Sequence, residues 1–224
     1  MEIINKIALV TGGSKGIGKA ICKVFSDNGI RVLAPSHSEL DLTSEQSIRN
    51  FLVSLNSEVH ILVNNAGVNP LAEIGSIEFQ KARQLMDINF WGPALITDLL
   101  SAKMKKQHYG RIVNISSIWS VISKPGRSTY AASKAAINSF TRSAAVEFGP
   151  YNILVNAVAP GYVNTELTKK NNSPNQIESI KSGIPVKKLA EPSEIAELVY
   201  FLCSDKNSYV TGQTIVADGG FSIV

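Results

Sequence analysis

Short apolar runs alternate along the chain with segments whose apolar residues recur at helical spacing. The runs predict strands at 7–10, 30–34, 59–63, 111–117, 153–158 and 214–216. The helical spacing predicts helices at 19–28, 44–56, 77–106, 128–148 and 192–204. Because strands and helices alternate, we expect a single α/β domain over residues 1–224, a doubly wound parallel sheet with helices on both faces.

The region after the second predicted strand departs from this alternation. Only Ser36 to Glu39 separates that strand from Leu40-Asp41-Leu42, and Thr43 is predicted as the N-cap of the next helix, with Gln46 as its capping-box partner. A crossover between parallel strands needs about a dozen residues or more. We therefore expect the third strand and its following helix to be shortened or missing.

A polar segment at 162–190 lacks a regular apolar pattern. Long insertions at the carboxyl edge of a sheet are commonly lids or substrate loops, so we expect an irregular lid here. Its lysines, among them Lys169 and Lys170, could contact a phosphate or an acidic carrier protein, or could only solvate the surface.

Composition excludes several classes of protein. Hydrophobic residues make up 44% of the chain and charged residues 18%, with a formal net charge of +4, as in ordinary globular proteins. The basic run Lys103 to Lys106 closes a predicted helix, where cations suit the helix dipole, so no nucleic-acid partner is predicted.

The two cysteines, Cys22 and Cys203, stand apart in predicted helices, which argues against a disulfide framework or a metal site. The N-terminus lacks a signal-peptide layout, and no apolar run reaches the length of a membrane span. We expect a cytoplasmic protein with no membrane partner.

A glycine-rich segment, Thr11-Gly12-Gly13-Ser14-Lys15-Gly16-Ile17-Gly18, joins the first strand to the first helix. Glycines let the backbone turn sharply and approach a pyrophosphate, and the helix N-terminus offers free N–H groups. In this position the segment predicts a dinucleotide site and a Rossmann-type fold. The alternative is a glycine turn without a ligand.

The end of the second strand bears on which dinucleotide binds. A carboxylate at that position normally receives the adenosine ribose hydroxyls. Here Ser36 and His37 follow the strand, and together with Lys15 they could meet a 2′-phosphate. We therefore expect NADP, with NAD as the alternative if Lys15 is only a solvated loop residue.

Tyr130 and Lys134 are one helical turn apart, so their side chains share a face. A lysine cation favours a nearby phenolate and lowers the pKa of the tyrosine, which makes the pair a plausible proton-transfer device. The alternative is a half-buried tyrosine beside a solvated lysine.

Other polar residues follow the ends of predicted strands, where ligands bind in such sheets. Asn64 and Asn65 could tie strand ends together through their amides, and Gly67 would leave room beside a cofactor. Ser116 and Ser117 are equal candidates for a hydrogen-bonding role.

In this order, the motifs resemble those of the short-chain dehydrogenase/reductase family over essentially the whole chain. The matching segments are Thr11 to Gly18, Asn64-Asn65-Ala66-Gly67, Asn89, Ser117, Tyr130 with Lys134, Pro160-Gly161 and Asp218-Gly219-Gly220. Residues 184–196 are most similar to 3-oxoacyl-acyl-carrier-protein reductases and related carbonyl reductases. The short segment after the second strand departs from the family pattern.

The resemblance implies that Tyr130 is the general acid or base and that Ser117 donates a hydrogen bond to the same substrate oxygen. Lys134 would lower the pKa of Tyr130 and bind the nicotinamide ribose, and Asn89 would position a water. Asp41 would contact adenine, and Val163 and Thr165 would hold the carboxamide. With the residues inferred above, the expected cofactor-binding set is Gly12, Ser14, Lys15, Gly16, Ile17, Gly18, Ser36, His37, Asp41, Leu42, Asn65, Ala66, Gly67, Tyr130, Lys134, Pro160, Gly161, Val163 and Thr165.

The predicted activity is NAD(P)H-dependent reduction of a small carbonyl substrate, a 3-oxoacyl thioester or similar ketone, with Tyr130 moving the proton. Two alternatives stay open: an oxidoreductase of a nucleotide-sugar or polyol, and a dinucleotide sensor without catalysis. Acyl carrier protein is a further expected partner. Because family members usually assemble as dimers or tetramers, we expect a homotetramer or homodimer.

Overall fold

The structure is a computed structural model that describes residues 6–224, and its centre is one parallel sheet. The strands are β1 (Ile7–Val10), β2 (Arg31–Leu33), β3 (Ile61–Asn64), β4 (Gly110–Ile115), β5 (Ile153–Pro160) and β6 (Thr214–Ala217), in the order β2-β1-β3-β4-β5-β6. The chain runs outward from β1 to β2 and returns to β3 on the other side of β1. This reversal opens a crevice at the carboxyl ends of β1 and β3, where ligands bind in such sheets.

Helices cover both faces of the sheet, as predicted. They are α1 (Gly16–Asp27), α2 (Glu45–Ser54), α3 (Phe79–Met86), α4 (Gly92–Gln107), α5 (Ser128–Phe148), α6 (Glu166–Asn171), α7 (Pro174–Gly183) and α8 (Pro192–Cys203). Strand residues alternate between two apolar clusters: Val10 packs with α1 and α8 on one face, and Leu9 packs with α2, α4 and α5 on the other.

The expected loss of a strand is confirmed within residues 6–224, because β2 is an edge strand and residues 34–44 form turns. Ser44, not Thr43, is the N-cap of α2, and its hydroxyl accepts from the Ser47 N–H at 3.2 Å. Thr43 instead donates its N–H and its hydroxyl to the Asp41 carboxylate. The predicted cap was therefore one residue early.

Two segments differ from the predicted elements. The single helix expected at 77–106 is interrupted by a π-helical turn, Asp87–Trp91, between α3 and α4. The expectation of an irregular segment at 162–190 is wrong, because α6 and α7 form there. A capping box between Ser173 and Gln176 begins α7.

Within residues 6–224, no helix combines the length and the apolar character needed to cross a bilayer. In the same residues, no group of histidine, cysteine or acidic side chains is arranged to hold a metal ion. Both cysteines are free.

Candidate active site

The glycine-rich turn forms a cradle at the carboxyl end of β1. Gly12 and Gly16 adopt φ values of +66° and +55°, which side chains other than glycine rarely tolerate. A Cβ at Gly18 would lie 2.2 Å from the Gly12 carbonyl oxygen, so this packing also requires glycine. Lys15 is the N-cap of α1, and its side chain makes no capping hydrogen bond. The cradle and the helix end fit a pyrophosphate.

Hydrogen bonds hold this cradle against the end of β3. The Asn65 side-chain amide donates to the carbonyl oxygens of Thr11 at 2.9 Å and Gly12 at 3.0 Å. The Thr11 hydroxyl accepts from the N–H groups of Asn65 and Ala66, both at 3.1 Å. Thr11 was part of the predicted motif but not of the predicted site, and its position immediately after β1 was the signal that could have singled it out.

Gly67, Asn89 and Lys134 come together beside the crevice. A Cβ at Gly67 would lie 3.3 Å from Asn89 Oδ1 and 3.5 Å from Lys134 Nζ. Asn89 is buried in the π-helical turn, and its amide accepts from the Val68 N–H and donates to the Val68 carbonyl, both at 2.9 Å. The Asn89 side chain therefore fixes the chain after Gly67. π-Helical turns are frequent at functional sites.

The structure distinguishes the two serines that follow β4. The Ser116 hydroxyl is directed to Ser120 Oγ at 3.2 Å and to the Lys134 carbonyl oxygen at 3.3 Å. The Ser117 hydroxyl accepts from the Trp119 N–H at 3.3 Å, and it lies close enough to the phenol of Tyr130 to lower the pKa of that tyrosine. Ser117 is therefore the serine that faces Tyr130.

Three influences act on the pKa of Tyr130. Burial raises the pKa above the ordinary value, and the Ser117 hydroxyl and the positive charge of Arg127 act in the opposite direction. Lys134 was predicted to lower this pKa, but the opposing groups in the structure are Ser117 and Arg127.

Lys134 is buried, so the reading of a solvated helix lysine is wrong. Its Nζ lies 5.8 Å from the centroid of the Tyr130 ring and donates to the Ile115 carbonyl oxygen at 2.7 Å. Burial lowers the pKa of Lys134 to about 8. The ammonium is thus held at the end of β4, on the same face of α5 as Tyr130.

The turn after β2 holds a carboxylate that sequence reasoning missed. Glu39 Oε2 accepts from the Ser36 N–H at 2.8 Å and from the Ser36 hydroxyl at 2.7 Å. These hydrogen bonds lower the pKa of Glu39, so it is charged at neutral pH. Ser36, one of the three residues expected to meet a 2′-phosphate, is therefore already bonded to an anion. Asp41 is similarly engaged with Thr43, while Leu42 is buried against Gly92.

The start of the 162–190 segment lies against the cradle. Thr165 caps α6, and its Cγ2 would be 3.4 Å from a Cβ at Gly16. Val163 forms an isolated parallel bridge with Ala190, which closes the base of the segment. Pro160 ends β5, and Gly161 packs so closely on Asp218 that a Cβ would lie 2.7 Å from Asp218 Cβ.

Two family models match the chain. A family model described as short chain dehydrogenase matches residues 6–50, and one described as enoyl-(acyl carrier protein) reductase matches residues 34–222. The chain belongs to the short-chain dehydrogenase family. It is therefore an oxidoreductase that works with a nicotinamide dinucleotide.

Individual members of the family match over nearly their full length. The 3-oxoacyl-[acyl-carrier-protein] reductase of Thermotoga maritima is 34% identical, with 100% of both chains covered. Its alignment has 248 positions against 224 residues here, so 24 positions have no residue in this chain. The NAD-dependent glycerol dehydrogenase of Listeria innocua is 34% identical, with 99% of this chain and 96% of that protein covered.

A solved structure from Beutenbergia cavernae has a TM-score of 0.93 and 29% identity, with 98% of each chain covered. It is described as an NAD(P)-dependent gluconate 5-dehydrogenase with bound NADP. Similar proteins in this family thus differ in substrate and in dinucleotide.

Proposed function

We propose that the protein reduces a carbonyl compound to an alcohol at the crevice beyond β1 and β3, with Tyr130 as the proton donor. The observation that carries this proposal is the convergence of the Ser117 hydroxyl and the Lys134 ammonium on Tyr130, with the ammonium also beside Gly67. When bound, NADH or NADPH supplies the hydride.

Each side chain has one task in this scheme. Ser117 orients the substrate oxygen and stabilises the charge that develops on it. Tyr130 gives its phenolic proton to that oxygen, and the positive charge of Arg127 favours the phenolate that remains. Protonated Lys134, 5.8 Å from the centroid of the Tyr130 ring, would add to this effect. Lys134 also holds the nicotinamide ribose, and Asn89 keeps the chain after Gly67 in place and orders a water.

The glycine cradle, the start of α1 and the chain after β3 would hold the dinucleotide. Lys15 supports NADPH, as does the bound NADP of the Beutenbergia protein. The Glu39 carboxylate on Ser36 supports NADH, as does the NAD dependence of the Listeria enzyme. Pro160, Gly161, Val163 and Thr165 would border the nicotinamide end, with residues 162–190 as the lid.

The relatives support two substrate classes. The 3-oxoacyl reductases, such as the Thermotoga protein, support a 3-oxoacyl thioester as the substrate. Acyl carrier protein would deliver it while bound to the exposed lysines Lys169 and Lys170. The glycerol and gluconate dehydrogenases support a polyol or sugar acid. A sensor without catalysis is disfavoured, because Ser117, Tyr130 and Lys134 are all present.

Assembly and location belong to the same proposal. Val146 on α5 and Trp91 before α4 are 80% and 60% exposed, which supports a homodimer or homotetramer through these helices. The two free cysteines support a reducing, cytoplasmic setting.

Substitution of the proton donor tests the proposal. Tyr130→Phe should lower turnover of acetoacetyl thioesters, ketones and keto-sugars by about a hundredfold or more, because a positioned acid contributes roughly that factor. The dissociation constants of NADH and NADPH, measured by calorimetry, should stay within a few-fold of wild type. Tyr151→Phe is the matched control. Wild-type turnover in Tyr130→Phe would refute the proposal.

A further inference from the structure

Arg127, the residue before α5, is a buried cation that has no counter-ion among residues 6–224. The residue is 6% exposed, yet in the described part of the chain no carboxylate pairs with it and its guanidinium makes no hydrogen bond. An arginine stays charged at every ordinary pH, so it cannot escape this cost by losing its proton. Buried charges are normally paired, because an unpaired charge away from water is costly.

The guanidinium lies beside the proton donor. Its Cζ is 5.6 Å from the centroid of the Trp119 ring, and Trp119 meets Tyr162 edge to face at 6.0 Å. Trp119 thus joins Arg127 to Tyr162, and Arg127 stands three residues before Tyr130; its charge acts to lower the pKa of both tyrosines. A substrate carbonyl oxygen that accepts a hydrogen bond from the Tyr130 hydroxyl would therefore also lie close to the charge of Arg127.

The surroundings favour binding of an anion. Trp119 and Tyr162 belong to an apolar cluster with Ile118, Ile184 and Leu189, against which Tyr130 packs. In such a poorly hydrated place, attraction between opposite charges is stronger than in water. The planar fork of arginine matches the paired oxygens of a carboxylate or a phosphate, and it can donate two parallel hydrogen bonds to either.

We propose that Arg127 binds an oxyanion, a carboxylate or a phosphate, that the substrate carries close to its reacting carbonyl. The inference rests on the carbonyl reduction proposed above and narrows its substrate. A neutral 3-oxoacyl chain has no such group beside the carbonyl, whereas keto acids and keto phosphates do. Arg127 is then the residue that selects among carbonyl compounds.

Matched pairs of alcohols test this without turnover. In protein loaded with NADH or NADPH, an alcohol cannot react, so calorimetry reports binding alone. The carboxylate pair is 3-hydroxybutyrate and its methyl ester, and the phosphate pair is glycerol 3-phosphate and glycerol. We expect at least one anion to bind tenfold or more tightly than its neutral partner, and the pair that shows this identifies the oxyanion. Equal binding within both pairs would overturn the inference.

Variants of two arginines separate the local effect of Arg127 from the effect of net charge. Arg127→Gln should remove the preference for the anion, while Arg142→Gln, at an exposed position on the same helix, should keep it. Arg127→Lys should recover only part of it, because a single ammonium cannot form the paired hydrogen bonds. An Arg127→Gln protein that still prefers the anion would contradict the assignment.

Stability gives an independent readout. Because Arg127 has no carboxylate or hydrogen-bond partner to lose among residues 6–224, Arg127→Gln should leave the midpoint of thermal unfolding unchanged or raised in the absence of ligands. A midpoint that falls by several degrees would show a structural role and sink the inference. Failure of carbonyl reduction itself would appear differently, as absent turnover of neutral and anionic ketones alike, with anion binding intact.

Discussion

The ammonium of Lys134 donates a 2.7 Å hydrogen bond to the carbonyl oxygen of Ile115, the last residue of β4. This contact ties the middle of the catalytic face of α5 to the end of a central strand. Protein surrounds the hydrogen bond from Lys134 to Ile115, since Lys134 is 4% exposed. The site therefore holds its cation by a backbone carbonyl and without a carboxylate partner among the described residues.

Burial of Lys134 predicts how stability depends on pH. Its pKa is about 8 in the folded protein, below the value of an unfolded lysine near 10.4. Between these two values the unfolded chain keeps a proton that the folded protein has released, so the free energy of unfolding rises with pH. Relative to Lys134→Met, wild type should gain up to about 1.4 kcal/mol per pH unit across this window.

Urea unfolding of both proteins at several pH values between 7 and 10 measures that gain. Lys103→Met, at an exposed lysine of α4, is the matched control. A difference between wild type and Lys134→Met that is flat with pH, or that falls, would contradict the burial of a titrating lysine.

The position of Glu39 predicts that removal of its charge shifts the preference between NADPH and NADH. Gln at this position keeps an oxygen that can accept from the Ser36 N–H, so the turn should hold while its negative charge is lost. We expect Glu39→Gln to bind NADPH several-fold more tightly, because a 2′-phosphate would no longer face a carboxylate, and to change NADH binding less. Calorimetric dissociation constants for both dinucleotides measure the ratio.

Glu45→Gln is the control for this change, because Glu45 is an exposed glutamate paired with Arg49 on α2. If both variants leave the ratio of NADPH to NADH affinity at the wild-type value, Glu39 has no part in the selection.

The close packing at Gly18 predicts that a side chain there would destabilise the glycine cradle. A Cβ there would lie 2.2 Å from the Gly12 carbonyl oxygen and 2.4 Å from Asn65 Nδ2, so Gly18→Ala must displace the cradle. We expect a loss of about 1–3 kcal/mol in the free energy of unfolding, as for other overpacked sites, and weaker dinucleotide binding. Gly149→Ala is the control, because a Cβ at Gly149 meets no atom within 4 Å. Equal stability of the two variants would show that the cradle adapts freely.

The order of elements and most of the site could be predicted because they depend on local patterns. Apolar runs fixed the strands, and the spacing from Tyr130 to Lys134 placed both on one face of α5. The missing strand followed from chain length alone, since Ser36 to Glu39 cannot cross a sheet.

The features that could not be predicted depend on contacts between residues far apart in the sequence, or on which of two equally suitable neighbours takes a role. Thr43 and Ser44 are both good caps, and only the engagement of Thr43 with Asp41 leaves the role to Ser44. The π-helical turn at Asn89 leaves no mark in the apolar spacing. Arg127 looks like a loop residue until the fold buries it beside Trp119.

The last prediction concerns the C-terminal end of the chain, which supports residues 162–190. The Phe221 ring meets Tyr162 edge to face at 5.4 Å, and Ile177 and Ile180 of α7 pack on the same apolar cluster. Asp218 accepts from the Gly220 and Ser222 N–H groups and holds this end in place.

Phe221→Ala would leave the inner face of the lid unsupported. We expect KM for the carbonyl substrate to rise several-fold. The free energy of unfolding should fall by less than the roughly 3 kcal/mol typical of a fully buried aromatic ring replaced by alanine, because Phe221 is only partly buried. Dinucleotide affinity should change less, because Phe221 packs on the apolar cluster with Tyr162 and not on the glycine cradle. Ile223→Ala is the control, since Ile223 is 86% exposed. If the two variants had the same KM and the same stability, Phe221 would not support the lid.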